Sequence, residues 1–425
     1  MTSAAEHPGK APRRFDWARV LPWLCGAIGF AIAAKALAGP DKYGDLGIFL
    51  DTAREFRAGG IDLYRARAES GPWAYPHFAV LPYALLQVVL RDDLVVRWVY
   101  CALLGAGIAV ILRDLLRFVQ PFGGLRWWQW LGFGVLFQRC FAQNMSHGQI
   151  SLFVALFVVR GTLELQRGRD LRAGVLLGIA AALKLTPLLF VVALPLMRRY
   201  RAAAAMLATV ALAVFVVPWP FCGTEDHLFH LRRLWQTIQG SLAEPGSVPI
   251  VELYGGPSIR GTLDYLLQER ACDAEGRTVN LVDLSDRGLL AAKLLWSAAI
   301  LAVLGLWYRR AALLPDPQRL GQQCAAATLA MSFFSPVLRV YHLAAAAPAF
   351  VLYCRGPNGR RDLLWWVTSL VLLFTMTLRQ HRLLGKTLWR GLEVYGVLHF
   401  ALVALTVWLW RRSLRDGATI RDTPR

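Results

Sequence analysis

Long apolar stretches restrict the fold of this chain more than any other feature of its sequence. Each is close to the roughly 20 residues that an α-helix needs to cross the hydrocarbon core of a bilayer. Since helices satisfy their own backbone polar groups in lipid, the sequence predicts an all-α polytopic membrane protein with about twelve transmembrane helices and both termini in the cytoplasm. The stretches are 20–38, 75–91, 94–112, 127–143, 150–165, 173–196, 202–220, 288–308, 322–337, 339–354, 363–378 and 391–410.

The composition agrees with this class of protein. Hydrophobic residues make up 56% of the 425 residues and charged residues 18%, against about 25% charged in a soluble domain. A net charge of +19 would suggest nucleic acid as a partner of a soluble chain. Here the arginines cluster between apolar stretches, as positive-inside orientation and anionic lipid headgroups require. We therefore expect membrane lipids, and not nucleic acid, as partners.

The polar segments divide the chain into a leader, one transmembrane domain and a tail. The first apolar stretch ends in Ala36-Leu37-Ala38, which resembles a signal-peptidase site, but its length favours a retained helix. The predicted parts are a cytoplasmic leader at 1–19, a single domain at 20–410 with outer loops at 41–74 and 221–287, and a cytoplasmic tail at 411–425.

Twelve simple crossings conflict with the arginine distribution. They place the arginine-bearing loops 113–126, 166–172 and 379–390 outside, against the positive-inside tendency. One alternative splits stretch 173–196 into a hairpin at Lys184–Pro187, because Pro removes a backbone donor and disfavours helical geometry in the residue before it.

The first outer loop carries three carboxylates, Asp41, Asp45 and Asp51. A carboxylate near hydrocarbon is costly unless water, a cation or a substrate compensates it. Asp45 is the sharpest candidate for a general base, since a base must be ionised and within reach of the hydroxyl that it deprotonates. On spacing alone, all three are equally compatible with solvated loop or cap residues.

An amphipathic helix is predicted directly after Asp45. Apolar side chains recur at helical spacing, and Gly59-Gly60 can end the helix. We expect this helix to lie along the membrane surface. The apolar positions are Leu46, Phe49, Leu50, Ala53 and Phe56.

Cationic and polar residues inside later apolar stretches are candidates for binding an anionic group. Lys184 must find a carboxylate, a phosphate or water, although snorkelling at a helix end is an alternative. Arg339 and His342 are three apart and can share one helix face. Two further sets complete the candidates: His147 and Gln149, which an inter-helix turn also explains, and Arg379 and Arg382, which alternatively determine topology.

The seven cysteines show no CxxC spacing, so neither a zinc site nor a redox site is expected. Cys222 and Cys272 both fall in the long outer loop and can form a disulfide if that loop lies outside the cytoplasm. P-loop and dinucleotide fingerprints are missing from the sequence. We expect no metal and no cofactor.

Six segments, in order, resemble the membrane-embedded GT-C glycosyltransferases, specifically glycosyltransferase family 87. In the first segment, Asp45 stands where the family has its catalytic Asp, and Tyr64 matches a later Tyr. Three departures fall at His77, Ser151 and Gly256-Pro257, where the family usually has Pro, Asn and Asn-Gln. The segments are GDLGIFLDTAREFRAGGIDLY, WAYPHFAVLPYALL, HGQISLF, RAGVLLGIAAALKLTPLLF, GPSIRGTLDYLL and SPVLRVYHLAAAAP.

This resemblance implies a GT-C-type bundle in the plasma (inner) membrane with its active site facing the periplasm or outside. It implies transfer of a hexose, mannose in characterised relatives, from a polyprenyl-phosphate sugar to a glycolipid or glycan hydroxyl, with inversion. Asp45 would be the general base, and Lys184, Arg339, His342, His147, Gln149, Tyr64, Arg379 and Arg382 would bind substrate or phosphate. The sequence also fits a transporter or flippase for a lipid-linked or anionic solute, or a non-catalytic subunit of an envelope-assembly complex.

Overall fold

The structure is a computed structural model that describes residues 17–39, 44–59, 62–64, 75–243, 259–269, 278, 280–335, 338–357, 362–377 and 396–421. This part of the chain is helical and contains no strand. Short 3₁₀ turns precede α3, α8 and α14. The helices are α1 Trp17–Leu37, α2 Asp45–Ala58, α3 Leu81–Leu90, α4 Asp93–Phe118, α5 Trp127–His147, α6 Ser151–Gln166, α7 Asp170–Leu183, α8 Phe190–Leu196, α9 Tyr200–Ala211, α10 Trp219–Ala243, α11 Ile259–Leu267, α12 Asp286–Ala311, α13 Gln318–Phe333, α14 Ala347–Tyr353, α15 Leu363–Thr377 and α16 Val397–Arg421.

Within these residues, three helices (α1, α4 and α12) are long and apolar enough to cross a membrane. A fourth is added if α9, with its π-helical extension, and the first part of α10 count as one span, although the two are bent by 85°. The predicted count of about twelve is therefore not confirmed. Many apolar stretches form shorter helices joined by 3₁₀ turns, and hydropathy alone does not register such breaks.

Small residues let the helices of the bundle approach closely, as is common in membrane proteins. In α1 and α4, a Cβ added to Gly26 would lie 2.8 Å from the carbonyl oxygen of Gly105. A Cβ on Gly174 of α7 would lie 2.3 Å from the carbonyl oxygen of Ala202 in α9.

Stretch 75–91, which the sequence predicts as a crossing, does not run from one end of the bundle to the other. Its helix α3 lies along α2, where the Gln87 side chain donates to the Leu50 carbonyl at 3.1 Å. The next helix, α4, then begins beside α2, because Asp93 pairs with Arg54. Both ends of the stretch are thus on the same side of the bundle. The outer surface of α3 is apolar, with Leu85, Val88 and Val89 all more than half exposed.

Stretch 173–196 is the hairpin that the sequence left as an alternative, and not one crossing. Helix α7 ends at Leu183, and α8 returns toward the starting end before α9 begins. Gly174 packs on Ala202, and Gly178 packs on Met206, so α7 and α9 run in the same direction. Lys184 has extended backbone at the break.

These two corrections bring the arginine-bearing loops to one end of the bundle. The Gln318 side chain donates to the Pro121 carbonyl at 2.7 Å, and Arg355 donates to Phe122 at 2.8 Å. Arg199 pairs with Asp170 at 3.4 Å, joining the starts of α7 and α9. Loops 113–126 and 166–172 therefore share an end with the other arginine clusters, which removes their conflict with the positive-inside tendency. Loop 379–390 lies outside the described residues.

The amphipathic helix after Asp45 is confirmed as α2, and it ends at Gly59, whose φ is +77°. Its apolar side chains face protein and not lipid: Phe49 stacks on Tyr83 with ring centroids 5.0 Å apart, and Phe56 lies against His230. The apolar side of α2 is therefore not available to lipid, and the position of this helix along the membrane surface stays a prediction. Protein contacts, supplied by α3 and α10, bury that side.

Candidate active site

The position of Asp45 is fixed by the close contact of α2 with the end of α5. Helix α5 ends at Gly148 in left-handed backbone, with φ of +68°, and a Cβ there would lie 2.7 Å from the Cβ of Leu46. A Cβ on Gly44 would lie 3.2 Å from the His147 carbonyl oxygen. The two glycines allow the first turn of α2 to sit directly on the last turn of α5. Asp45 consequently lies beside His147.

Three cationic side chains act on the Asp45 carboxylate. Burial raises the pKa of Asp45 above its ordinary value, while the charges of His147, Arg339 and Lys184 oppose that shift. The structure thus brings together four residues that the sequence singled out separately, from α2, α5, the break after α7 and the turn before α14. We call Asp45, His147, Lys184, Arg339 and the adjoining Tyr75 the Asp45 site.

Lys184 reaches this site because α7 stops one residue before it. Its Nζ donates to the Ser151 hydroxyl at 3.2 Å and lies 5.9 Å from the centre of the Tyr75 ring. Neither of these two neighbours carries a negative charge, and the contact with Tyr75 is a cation–π interaction. The alternative of snorkelling away from the bundle is wrong, since the side chain turns toward α6 and Tyr75.

Arg339 is held by a tyrosine on the following 3₁₀ turn. Its guanidinium donates to the Tyr341 hydroxyl at 3.1 Å. The Tyr341 backbone carbonyl in turn accepts from the Asn144 side chain at 3.0 Å, and Gln149 lies near the Tyr341 hydroxyl. Asn144, near the end of α5, therefore helps to hold the turn that follows Arg339.

His342 does not share a helix face with Arg339, because the helical turn begins only at Val340 and Arg339 has extended backbone. The Arg339 backbone N–H donates to His342 Nδ1 at 3.3 Å. The His342 ring lines a small cavity of about 20 Å³ together with Lys184 and Ser151. The prediction that the two residues share a helix face is wrong, whereas their contact with one anionic group stays a prediction, and both adjoin Lys184.

The remaining predicted residues lie further away or outside the described chain. Tyr64 is buried, and its hydroxyl donates to the Tyr75 backbone carbonyl at 3.2 Å, so it contacts the Asp45 site through Tyr75. The predictions for Asp41, Arg379, Arg382 and Cys272 fall outside the described residues. Cys222, the predicted disulfide partner of Cys272, has its sulfur 3.2 Å from the Pro218 carbonyl oxygen.

Sequence reasoning missed Tyr75 and the tyrosine pair behind it. The Tyr75 ring packs on Phe49 at 5.7 Å and contacts Lys184. The Tyr83 and Tyr100 hydroxyls are 3.0 Å apart, and Tyr100 donates to the Gly148 carbonyl at 3.0 Å. An aromatic residue directly before Pro76, at the end of the polar loop, was the available signal for Tyr75.

His77, one of the three departures from the family pattern, is a packing residue. Its Nε2 lies 3.1 Å from His227 Nδ1, and its ring is 5.8 Å from that of His230. All three rings are buried. This cluster joins the turn before α3 to α10. In the described ranges, no group of three or more His, Cys, Asp or Glu side chains is arranged to hold a metal ion.

Comparison with known proteins agrees with this architecture. The profile of glycosyltransferase family 87 matches residues 73–336. The chain belongs to glycosyltransferase family 87. It is also 26% identical, over 95% of its own length and 93% of the relative's, to a polyprenol-phosphate-mannose-dependent alpha-(1-2)-phosphatidylinositol mannoside mannosyltransferase of Mycobacterium tuberculosis. This family 87 chain is therefore a membrane glycosyltransferase, and the matched region contains Lys184, His147 and Gln149. Asp45 and Arg339 lie outside the family match. An alignment that covers 95% of the chain nevertheless includes both residues.

Proposed function

We propose that this protein transfers mannose from a polyprenyl-phosphate sugar to a hydroxyl of a glycolipid or glycan acceptor, with inversion at the anomeric carbon. The observation that carries the proposal is the proximity of the Asp45 carboxylate to Lys184 and Arg339. A base and two phosphate-binding cations in one site are what this transfer needs. The donor class and the acceptor class follow from the relative's printed name.

The reaction is a single displacement. Asp45 accepts the proton of the acceptor hydroxyl as that oxygen forms a bond to the anomeric carbon. The bond from this carbon to the phosphate oxygen breaks, and its electron pair stays on the lipid phosphate. Lys184 and Arg339 stabilise the negative charge that develops there, because fixed charges in a water-poor site act strongly on a transition state. As written, the reaction takes no cofactor.

The bundle supports a site at the outer face. The arginine-bearing loops lie at the end opposite Asp45, and the positive-inside tendency assigns that end to the cytoplasm. Under this orientation the donor presents its sugar phosphate to Asp45 at the outer leaflet of the plasma membrane. The Tyr75 ring and the Tyr341 hydroxyl adjoin the cations, and we expect both to contact the sugar.

Replacing the proposed base tests this mechanism. Asp45→Asn keeps the size of the side chain but cannot accept the proton, so we expect the transfer rate to fall by about 10² to 10⁴. Asp51→Asn is the matched control: Asp51 lies six residues further along α2 and pairs with Arg54, so we expect near-parental activity. Transfer is measured on purified proteins with a polyprenyl-phosphate mannose and a glycolipid acceptor, using product mass.

Parental activity in Asp45→Asn would refute the assignment of the base. The alternative function, a transporter or flippase, predicts a different result. The protein would then move labelled lipid-linked sugar across liposome membranes and form no glycosylated product with any acceptor in a cell-envelope extract. A panel of polyprenyl-phosphate sugars in the same assay identifies the hexose.

A further inference from the structure

Two adjoining cavities open at the arginine-rich end of the bundle, far from Asp45. Their volumes are about 480 and 430 Å³, and they share Leu171 and Arg172. They lie between the end of α6 and the starts of α7 and α9. The remaining lining residues are Arg160, Glu164, Gly168, Arg169, Asp170, Val175, Leu176 and Arg201. We call the two together the α6–α9 cavity.

The acidic residues of this cavity are already paired. Glu164 is buried, and its carboxylate lies 3.3 Å from Arg160 and 3.3 Å from Arg169. It also lies 3.0 Å from Arg167. The other acid, Asp170, pairs with Arg199. Neither carboxylate is therefore available to neutralise a further cation.

Arg172 and Arg201 are the cations that these acids do not neutralise. Both side chains are exposed, and neither has an acidic partner within 4.0 Å in the part of the chain that the structure describes. Both line the same cavity. Because like charges repel, two such guanidiniums favour a shared anion between them, and arginine binds phosphate oxygens in a bidentate manner.

One wall of the α6–α9 cavity is apolar and follows a helix of the bundle. Leu171 and Val175 are 64% and 42% exposed, and Leu176 continues this wall along α7. Leu171 and Val175 are four residues apart and lie on one side of α7, with Leu176 next to Val175. A ligand with an alkyl chain would cover this wall, whereas a free phosphate ion would not.

We infer that the α6–α9 cavity is a binding site for an anionic phospholipid of the leaflet opposite the Asp45 site. The lipid phosphate and any further headgroup charge contact Arg172 and Arg201, and an acyl chain lies along Leu171, Val175 and Leu176. This site is separate from the proposed transfer reaction. A lipid bound in this cavity contacts the starts of both α7 and α9, next to the Arg199–Asp170 pair that already joins them.

Lipid binding by the purified full-length protein tests this inference. Delipidated protein in neutral detergent is titrated with phosphatidylglycerol, with phosphatidylcholine or with inorganic phosphate. Native mass spectrometry counts the bound lipid molecules, and a thermal unfolding experiment measures Tm. We expect phosphatidylglycerol to bind and to raise Tm, and the other two ligands to have little effect. Arg172→Gln and Arg201→Gln should each weaken phosphatidylglycerol binding by roughly fivefold.

Two further variants keep the test decisive. Arg57→Gln removes an exposed arginine from α2, at the other end of the bundle, and should leave phosphatidylglycerol binding unchanged. Leu171→Ser removes apolar surface but no charge, and should weaken lipid binding without changing any effect of phosphate. Equal binding of phosphatidylcholine, full reproduction of the effect by phosphate, or unchanged lipid binding in both cavity arginine variants would each overturn the inference.

Discussion

The Asp45 carboxylate experiences two opposing influences. Burial disfavours its ionised form and raises its pKa, whereas His147, Arg339 and Lys184 favour the ionised form. Burial prevails, so the pKa of Asp45 lies above the ordinary value of about 3.9. A general base works only when ionised. The transfer rate should therefore decline on the acidic side at a higher pH than an exposed aspartate would give.

The cations of the Asp45 site set where this decline falls. Arg339→Gln removes a charge that lowers the pKa of Asp45, so we expect the acidic limb of the normalised kcat/KM profile to move to higher pH, in addition to any loss of rate. The profile is measured from acid to alkaline pH with parent and variant. Arg57→Gln, on the exposed side of α2, should leave the limb in place. A limb that stays fixed or moves to lower pH in Arg339→Gln would contradict the proposed coupling.

Individual residues of the site were predictable, but their meeting was not. A carboxylate near hydrocarbon, a lysine within an apolar stretch and an arginine near a proline each require compensation. This requirement selected Lys184, Arg339 and three carboxylates, among which the family resemblance favoured Asp45. Their proximity depends on where α7 stops and on how closely Gly148 lets α2 approach. Neither feature leaves a pattern that spacing along the sequence can reveal.

At the scale of helices, close packing of α7 on α9 holds Lys184 at the site. The sequence predicted α2 and its end at Gly59 from apolar periodicity and glycine. It did not predict that α3 stays on one side of the bundle, because an apolar run of this length fits a short crossing as well as a helix packed along α2. The break at Lys184–Pro187 carried a local signal, and the hairpin was accordingly among the alternatives.

The contact between Gly174 and Ala202 makes this helix pair sensitive to added volume. Gly174→Ala places a Cβ 2.3 Å from the Ala202 carbonyl oxygen and 2.7 Å from the Ala205 Cβ. Overpacking against such neighbours costs about 1–3 kcal/mol, so we expect a lower Tm. Gly132→Ala in α5 is the matched control, since no atom lies within 4 Å of the added Cβ. Equal Tm values for the two variants would contradict the packing described for α7 and α9.

At the scale of the whole molecule, the bundle has two chemically different ends. One end holds the Asp45 site, and the other holds the arginine-bearing loops joined by Gln318, Arg355 and Arg199. Hydropathy alone assigned loop 113–126 to the outside because it counted stretch 75–91 as a crossing. Once α3 stays beside α2, α4 carries the chain away from the Asp45 end and the loop reaches the arginine-rich end.

This arrangement predicts which positions are reachable from outside the cell. In a background with the native cysteines replaced by alanine, Arg57→Cys in α2 should react with a membrane-impermeant thiol reagent added to intact cells. Gln120→Cys, in the exposed loop after α4, should react only after the membrane is permeabilised, because the positive-inside tendency keeps the arginine-rich end in the cytoplasm. Both parent positions are exposed, so accessibility within the protein is matched. Labelling of Gln120→Cys in intact cells at the rate of Arg57→Cys would show that the loop lies on the same side as Asp45, and would restore the crossing at 75–91.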